Sequence, residues 1–345
     1  MKDLTERQKF ILTLIIHEHI RTATPVGSNA LVERYNLDFS SATVRNEMSM
    51  LTDLGYLRQP HTSAGRIPSE EGYRYFVTGL LQKSELPSNT RRMISHQFYQ
   101  SRHDINEWMR LAASVLAQQS HSASVVTAPH PEKARLKHLE LISTHGRQVL
   151  MVAVMQGGEI YQRILLLDEP VSQEQLSIAA GEITRQFQGK DFKALRSGQH
   201  YLHELNQNIA TSLAEEMAQA DALAAGEVFM DGLSNVLSQP EFSGSEDARR
   251  ALRVLEERTL LQDLLSRTVL SQNVGGVQVL IGGEGTWDEL RQWSIILARY
   301  GAPGLATGTL GVLGPIRMHY ARSISTIRFM SGLLSDLVTE NLAEE

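Results

Sequence analysis

The stretch from Ser40 to Pro68 constrains this chain more than any other, because it couples a short capped helix directly to a tight hairpin. Ser40 or Ser41 offers a hydroxyl N-cap and Gly55 a stop, so a helix to about Leu54 is expected between them. Val44, Met48 and Leu51 stand at i, i+4 and i+7 and form one apolar stripe. At about 100° per residue, Ala42, Arg45, Asn46 and Ser49 point the other way. Tyr56 to Pro60 then reads as a short strand and His61-Thr62-Ser63-Ala64-Gly65-Arg66 as a polar tip. In that tip Gly65 permits a positive φ. Arg66-Ile67-Pro68 begins the return.

Two more helices precede this pair. Thr5 with Gln8 has the form of a capping box, and Phe10, Ile11, Leu14 and Ile15 follow at helical spacing up to Thr24-Pro25. Ser28 to Tyr35 is expected as a second short helix, with Leu31 and Val32 inward, and Asn36 to Phe39 as a turn. The outer face of the third helix is small, polar and cationic near its N-terminus. Such a face can meet base edges: Arg bonds guanine bidentately, Asn adenine, and an Ala methyl meets a thymine methyl. Taken alone, it reads equally as an ordinary solvated surface. The hairpin behind it tips the balance, since an Arg and small polar residues at such a tip suit phosphate or minor-groove contact. The candidate DNA-binding residues are Ser40, Ser41, Ala42, Thr43, Arg45, Asn46 and Ser49 on the helix, and His61, Thr62, Ser63, Gly65 and Arg66 on the hairpin. Arg45 and Asn46 are expected to read bases, and the hairpin to hold backbone.

These residues also carry a family likeness. The run Ser41-Ala42-Thr43-Val44-Arg45-Asn46-Glu47-Met48, the string His61 to Pro68 and Gly72-Tyr73-Arg74-Tyr75 resemble the HrcA family of bacterial heat-inducible repressors. A second block agrees: Ile281-Gly282-Gly283-Glu284, Ser294, Tyr300-Gly301 and Gly311-Val312-Leu313-Gly314-Pro315-Ile316-Arg317-Met318-His319-Tyr320. The pattern departs at Gly285, where the family often has Asn, and at Ile316, where Thr is usual. The resemblance implies an α+β chain: an N-terminal winged helix-turn-helix, and a GAF-like domain interrupted by an inserted three-stranded sheet-plus-helices dimerisation domain. It further implies a homodimer on double-stranded DNA with an inverted-repeat operator, release on heat shock, and the GroEL chaperonin as a partner that keeps the repressor active.

The remaining sequence is parsed accordingly. The head is set at 1–81, a joining segment at 82–100 with its linker proper at 82–90, and the first GAF-like part at 101–131. The inserted domain is set at 132–222 and the second GAF-like part at 223–345. Within the insertion, Leu136 to Ser143, Val149 to Met155 and Glu159 to Leu167 read as strands joined at His145-Gly146 and Gly157-Gly158. Helices are expected at about 172–187 and 201–222. Farther on, a helix at 246–265, strands at 277–282, 293–300 and 307–313, and a last helix at 320–338 complete the reading.

Composition sets outer limits. The 345 residues are 42% hydrophobic and 21% charged, enough apolar content for two or three cores of about 150 residues each. No cysteine is present, which excludes disulfide scaffolds, thiolate metal sites and cysteine catalysis. Charges in the first ten residues and a polar break at His17-Glu18 argue against a signal peptide or a membrane span, so a cytoplasmic protein is expected. The net charge is −6, yet residues 1–83 carry ten Lys/Arg and nine Asp/Glu. A DNA reader on an acidic body fits that asymmetry. Chemistry signals are weak. Residues 281–285 lack the Lys and Ser/Thr of a phosphate loop, and 308–314 reads better as a strand with close backbone approaches. His200 and His203 suggest no third ligand. No cofactor, metal or enzymatic activity is expected. The alternative is a winged-helix regulator sensing a small ligand in its GAF-like domain.

Overall fold

The computed structural model describes residues 4–61, 64–81, 85–101, 104–130, 133–222, 227–242, 246, 249, 252–253, 274–282, 290–303 and 305–343. Internal packing divides the chain into two units. One comprises Met1–Ala128, Glu227–Tyr300 and Thr309–Leu337; the other comprises Pro129–Gly226, Gly301–Gly308 and Val338–Glu345.

The first unit opens with helix α1 (Glu6–Thr22). Thr5 Oγ1 accepts from the Gln8 amide at 3.3 Å, and Gln8 Oε1 accepts from the Thr5 amide at 3.1 Å. Two otherwise orphaned donors are thus satisfied within one turn. Ile11, Leu12, Ile15 and Ile16 are fully buried. Helix α2 (Ser28–Tyr35) ends on Asn36 at φ 47°, a left-handed cap that Asn tolerates better than most residues. Glu18 ties the two helices together. It accepts from Arg21 at 2.6 Å and from Tyr35 at 3.4 Å, and pairs with Arg34 at 3.4 Å. The hydrogen bond from Arg21 holds its carboxyl below the usual carboxylate range, against the upward push of burial.

Helix α3 (Ser41–Asp53), strands β1 (Leu57–Arg58) and β2 (Ile67–Pro68), and helix α4 (Glu70–Tyr75) follow. A π turn at Phe76–Leu80 continues α4. Helix α5 (Ser88–Gln100) fills most of the segment expected as a joining region. Ile94 and Phe98, one turn apart, are buried, so these residues form a packed helix. Helix α6 (Ile105–Ser120), capped by Asp104, leads into the fully buried strand β3 (Ala123–Thr127).

The chain then builds the second unit. Strands β4 (Leu136–His145), β5 (Gln148–Met155) and β6 (Ile160–Leu166) form an antiparallel meander, and its turn glycines Gly146 and Gly158 have φ of 58° and 87°. Helix α7 (Gln173–Phe187) starts on a Ser172–Gln175 capping box. The short helix α8 (Phe192–Gly198) and a 3₁₀ turn at Gln199–Tyr201 precede helix α9 (Glu204–Ala222). The expected helix from 201 therefore starts three residues later, and His200 and His203 share no helix. Leu139, Leu141, Val149, Met151, Ala153 and Leu165 bury one sheet face against Leu176, Ile183, Phe187, Ile209, Leu213 and Met217. The other sheet face is apolar as well. Ile142, Leu150 and Ile164 stand in register across the three strands, and Ile142, Ile160, Ile164 and Leu166 are 45% to 68% exposed.

Strand β7 (Val228–Asp231) and helix α10 (Leu233–Leu237) resume the first unit, followed by strands β8 (Val277–Ile281), β9 (Trp293–Ala302) and β10 (Ala306–Pro315) and helix α11 (Tyr320–Ala343). The helix expected at 246–265 falls almost wholly outside the described residues. The five-stranded sheet runs β7-β3-β10-β9-β8. Trp293 and Phe242, ring centroids 4.4 Å apart, anchor the core beneath it. A Cβ at Gly311 would lie 2.3 Å from the Leu297 side chain and 2.6 Å from the Ile296 carbonyl, so β10 approaches β9 at a distance only Gly permits. Mixed strands and helices make the chain α+β. Among the described residues, no helix is long and apolar enough to cross a membrane, and no group of three or more His, Asp or Glu is placed to hold a metal ion.

Candidate nucleic-acid interface

The site is built on α3 and on the hairpin that follows it. Ser40 Oγ accepts from the Thr43 amide at 3.1 Å and lies 3.0 Å from Thr43 Oγ1, so both hydroxyls are engaged at the helix start. Val44, Met48 and Leu51 are buried, which fixes the rotation of α3. Ala42, Arg45, Asn46 and Ser49 are all exposed on the opposite face, while Ser41 and Thr43 are half-buried at its border. Glu47 on the flank pairs with Arg7 of α1 at 3.5 Å, and the Arg7 guanidinium lies 5.4 Å from the Phe39 ring centroid. That carboxylate is thereby kept beside α1. Arg45 is the cation the outer face presents towards its N-terminal end, and Asp53, also exposed, stands on the same side at the C-terminal end.

The hairpin is held from two sides. Leu57 pairs with Pro68 and Arg58 with Ile67. Arg66 exchanges both backbone hydrogen bonds with Val26, at 2.8 and 2.9 Å, so the segment between α1 and α2 adds a third strand position. Gly65 permits this approach. A Cβ there would stand 2.3 Å from the Val26 carbonyl oxygen, and its φ is not positive. The freedom that glycine offers at the tip is thus used for close backbone contact and not for a left-handed turn.

Arg66 is also placed differently from a free tip residue. Its Nε donates to Thr52 Oγ1 at 3.1 Å, bracing the hairpin on the C-terminal turn of α3, and the residue is half-buried. His61 is exposed; Thr62 and Ser63 lie outside the described residues. Reading the sequence missed Arg58. It is exposed on β1 while its neighbour Leu57 is buried, and this two-residue alternation was the available signal. The structure therefore gathers one exposed helix face and one exposed strand cation on the same framework. Such a framework can offer bidentate donors to base edges and point charges to phosphates.

The comparisons with known proteins agree with one another. The family described as "HrcA protein C terminal domain" matches residues 106–324. The heat-inducible transcription repressor HrcA of Roseiflexus castenholzii is 44% identical over 346 residues, covering 98% of this chain and 95% of that protein. The repressor of the same name from Chloroflexus aurantiacus is 42% identical, with 98% and 94% covered. A crystal structure described only as that of a hypothetical protein covers 98% of each chain at 22% identity with a TM-score of 0.58, a likeness of fold. With its exposed α3 face, a family match over more than half its length and relatives above 40% identity along nearly all of it, the chain belongs to the HrcA family of heat-inducible transcription repressors.

Proposed function

We propose that this chain is a sequence-specific DNA-binding repressor of heat-shock chaperone operons that reads an inverted-repeat operator as a homodimer. In this reading residues 1–81 act as a winged helix-turn-helix. Residues 101–131 and 223–345 form a GAF-like body, and 132–222 is the inserted dimerisation domain. The observation that carries the reading is the exposed row Ala42, Arg45, Asn46 and Ser49 on a helix anchored by its opposite face and followed by a hairpin. Two-fold operators call for two-fold proteins. The open apolar face of β4–β5–β6 supports pairing, because exposed Ile142, Ile160, Ile164 and Leu166 on one sheet are what a second copy would cover.

Heat release and chaperonin dependence are part of the same proposal. They require a DNA-competent state favoured by the partner by a few kcal/mol, about the scale of an ordinary population shift. The test is a gel shift of the purified protein on chaperone-operon promoters, with and without GroEL chaperonin, at growth and heat-shock temperatures. Operator binding that chaperonin sustains or restores is expected. Full binding at heat-shock temperature without chaperonin, lost on adding small metabolites, would overturn the chaperonin reading in favour of a ligand sensor. No binding to any such promoter would overturn both.

A further inference from the structure

Within the first unit, the last turn of α1 and helix α4 lie against the loop and helix start at residues 316–320. Arg317 stands at the centre. Its Nε and Nη2 fork onto the Glu241 carboxylate, with Nη2 to Oε2 at 3.0 Å, and Nη2 also donates to Gln239 Oε1 at 2.7 Å. Its side chain is only 12% exposed. With the guanidinium plane fixed by these acceptors, Nη1 is aimed at the Ile20 carbonyl, 3.3 Å away. Ile20 is in the last turn of α1, where carbonyls have no intrahelical donor and a cation is favoured.

A second link runs the opposite way. Arg74 of α4 donates through Nη2 to the Ile281 carbonyl at 3.4 Å, while its Nη1 holds Glu71 at 2.6 Å. Between the two arginines, the Tyr73 ring lies 5.9 Å from Tyr320. Tyr73 Oη is 2.6 Å from His19 Nδ1, and Tyr320 Oη is 2.6 Å from Ser294 Oγ. The Glu70 carboxylate lies over Gly282, whose φ of 69° is left-handed and favours glycine. The module that carries α3 is thus seated on strand ends and a loop more than 150 residues away in sequence, through contacts at both α1 and α4.

We infer that Arg317 is a positioning residue that sets the operator spacing the dimer accepts. The inference rests on the proposed reading of an inverted repeat by two heads. Adding one base pair between half-sites turns one of them by about 35° and moves it about 3.4 Å along the axis. Heads held on their own bodies by these donors follow that displacement less readily than heads freed from the seat. Arg317 contacts no DNA in this scheme. It acts by holding the helix that packs beneath α3.

The test measures affinity for operators whose spacer is native, one base pair longer or one shorter. Wild type should prefer the native spacer by about tenfold or more, the scale of a misplaced base contact. Arg317→Gln, which loses the cationic fork, should compress that preference to within about threefold, with a raised rate of amide exchange in the last turn of α1. Arg317→Lys, which keeps the charge without the fork, should fall between them and remains informative should the Gln variant unfold. Arg45→Ala should weaken all three spacings by one factor and leave the preference intact. Spacing preference in both Arg317 variants equal to wild type overturns the inference and leaves the repressor reading standing, and so does a uniform loss across spacings. Wild type that binds none of the operators overturns the repressor reading and the inference with it.

Discussion

Arg45 and Arg58 are both exposed cations on the same module, yet their settings ask different things of them. Arg45 sits on the helix face with Asn46, where a fork can meet a base edge, so Arg45→Ala should cost about 1–3 kcal/mol on the operator and relax one base position. Equal losses on operator and random DNA, measured by fluorescence anisotropy, would remove it from base readout. Arg58 is on a strand, and Arg58→Ala should weaken all sequences alike and lower the salt slope by about one. An unchanged slope would exclude a phosphate contact there. Arg66 shows the limit of reading a tip from sequence. Its residue type suggested a phosphate hand, but its Thr52 partner is fourteen positions away and its backbone partner Val26 is forty away. No local pattern signals either one. His19 carries a pH prediction. Burial, aided by the Arg317 and Arg58 charges and opposed by Glu241, lowers it to about 4 from the ordinary 6.5. The unfolded chain therefore takes up its proton first. Stability is fully retained above pH 6.5 and falls as pH drops from there towards 4, by up to about 1.4 kcal/mol per pH unit. His17 and His319, also lowered by burial, act in the same sense. Thermal unfolding at pH 7.5 and pH 5 should show a larger loss for wild type than for His19→Gln; equal losses would rule His19 out as a main contributor.

At the scale of elements, what could be read from sequence was what local chemistry fixes. The Thr5–Gln8 box, the Ser40 cap and the left-handed Asn36 all act within four residues, and α1, α2 and α3 begin and end close to where those residues predict. The turn glycines Gly146 and Gly158 likewise set the meander. Helix α5 was lost because Pro87-Ser88 and a polar composition suggest a loop. Only the pairing of Ile94 with Phe98 marked its buried side, and two apolar residues are a thin stripe. Helix α8 is seven residues long, too short for periodicity to register. The third strand position at Val26 was invisible, since one isolated bridge leaves no alternating pattern. It gives a sharp prediction nonetheless. Gly65→Ala should separate Arg66 from Val26 and destabilise the module by about 1–3 kcal/mol, because the new methyl meets backbone that cannot move aside as a side chain would. A denaturation midpoint equal to that of wild type would show that the hairpin does not need this approach.

Among the described residues, the outer face of β4–β5–β6 is a broad exposed apolar surface. Replacing Ile164, 65% exposed and in register with Leu150, by Asp should leave the folded chain intact while blocking pairing. Light scattering should then report a monomeric mass, with operator affinity reduced; a dimeric mass at the wild-type concentration dependence would place the pairing surface elsewhere. Family membership was legible because it rests on strings such as Ser41 to Met48 that survive in a single sequence. The seating of Arg317 against Ile20 was not, since the two are 297 positions apart. The apolar sheet face also has a consequence for gene dosage. Where pairing is the route to a two-headed reader, the number of readers in a dilute cell rises with the square of the number of chains. A twofold fall in concentration, as when a cell doubles its volume without resynthesis, would then cut the concentration of readers about fourfold in the weakly paired regime.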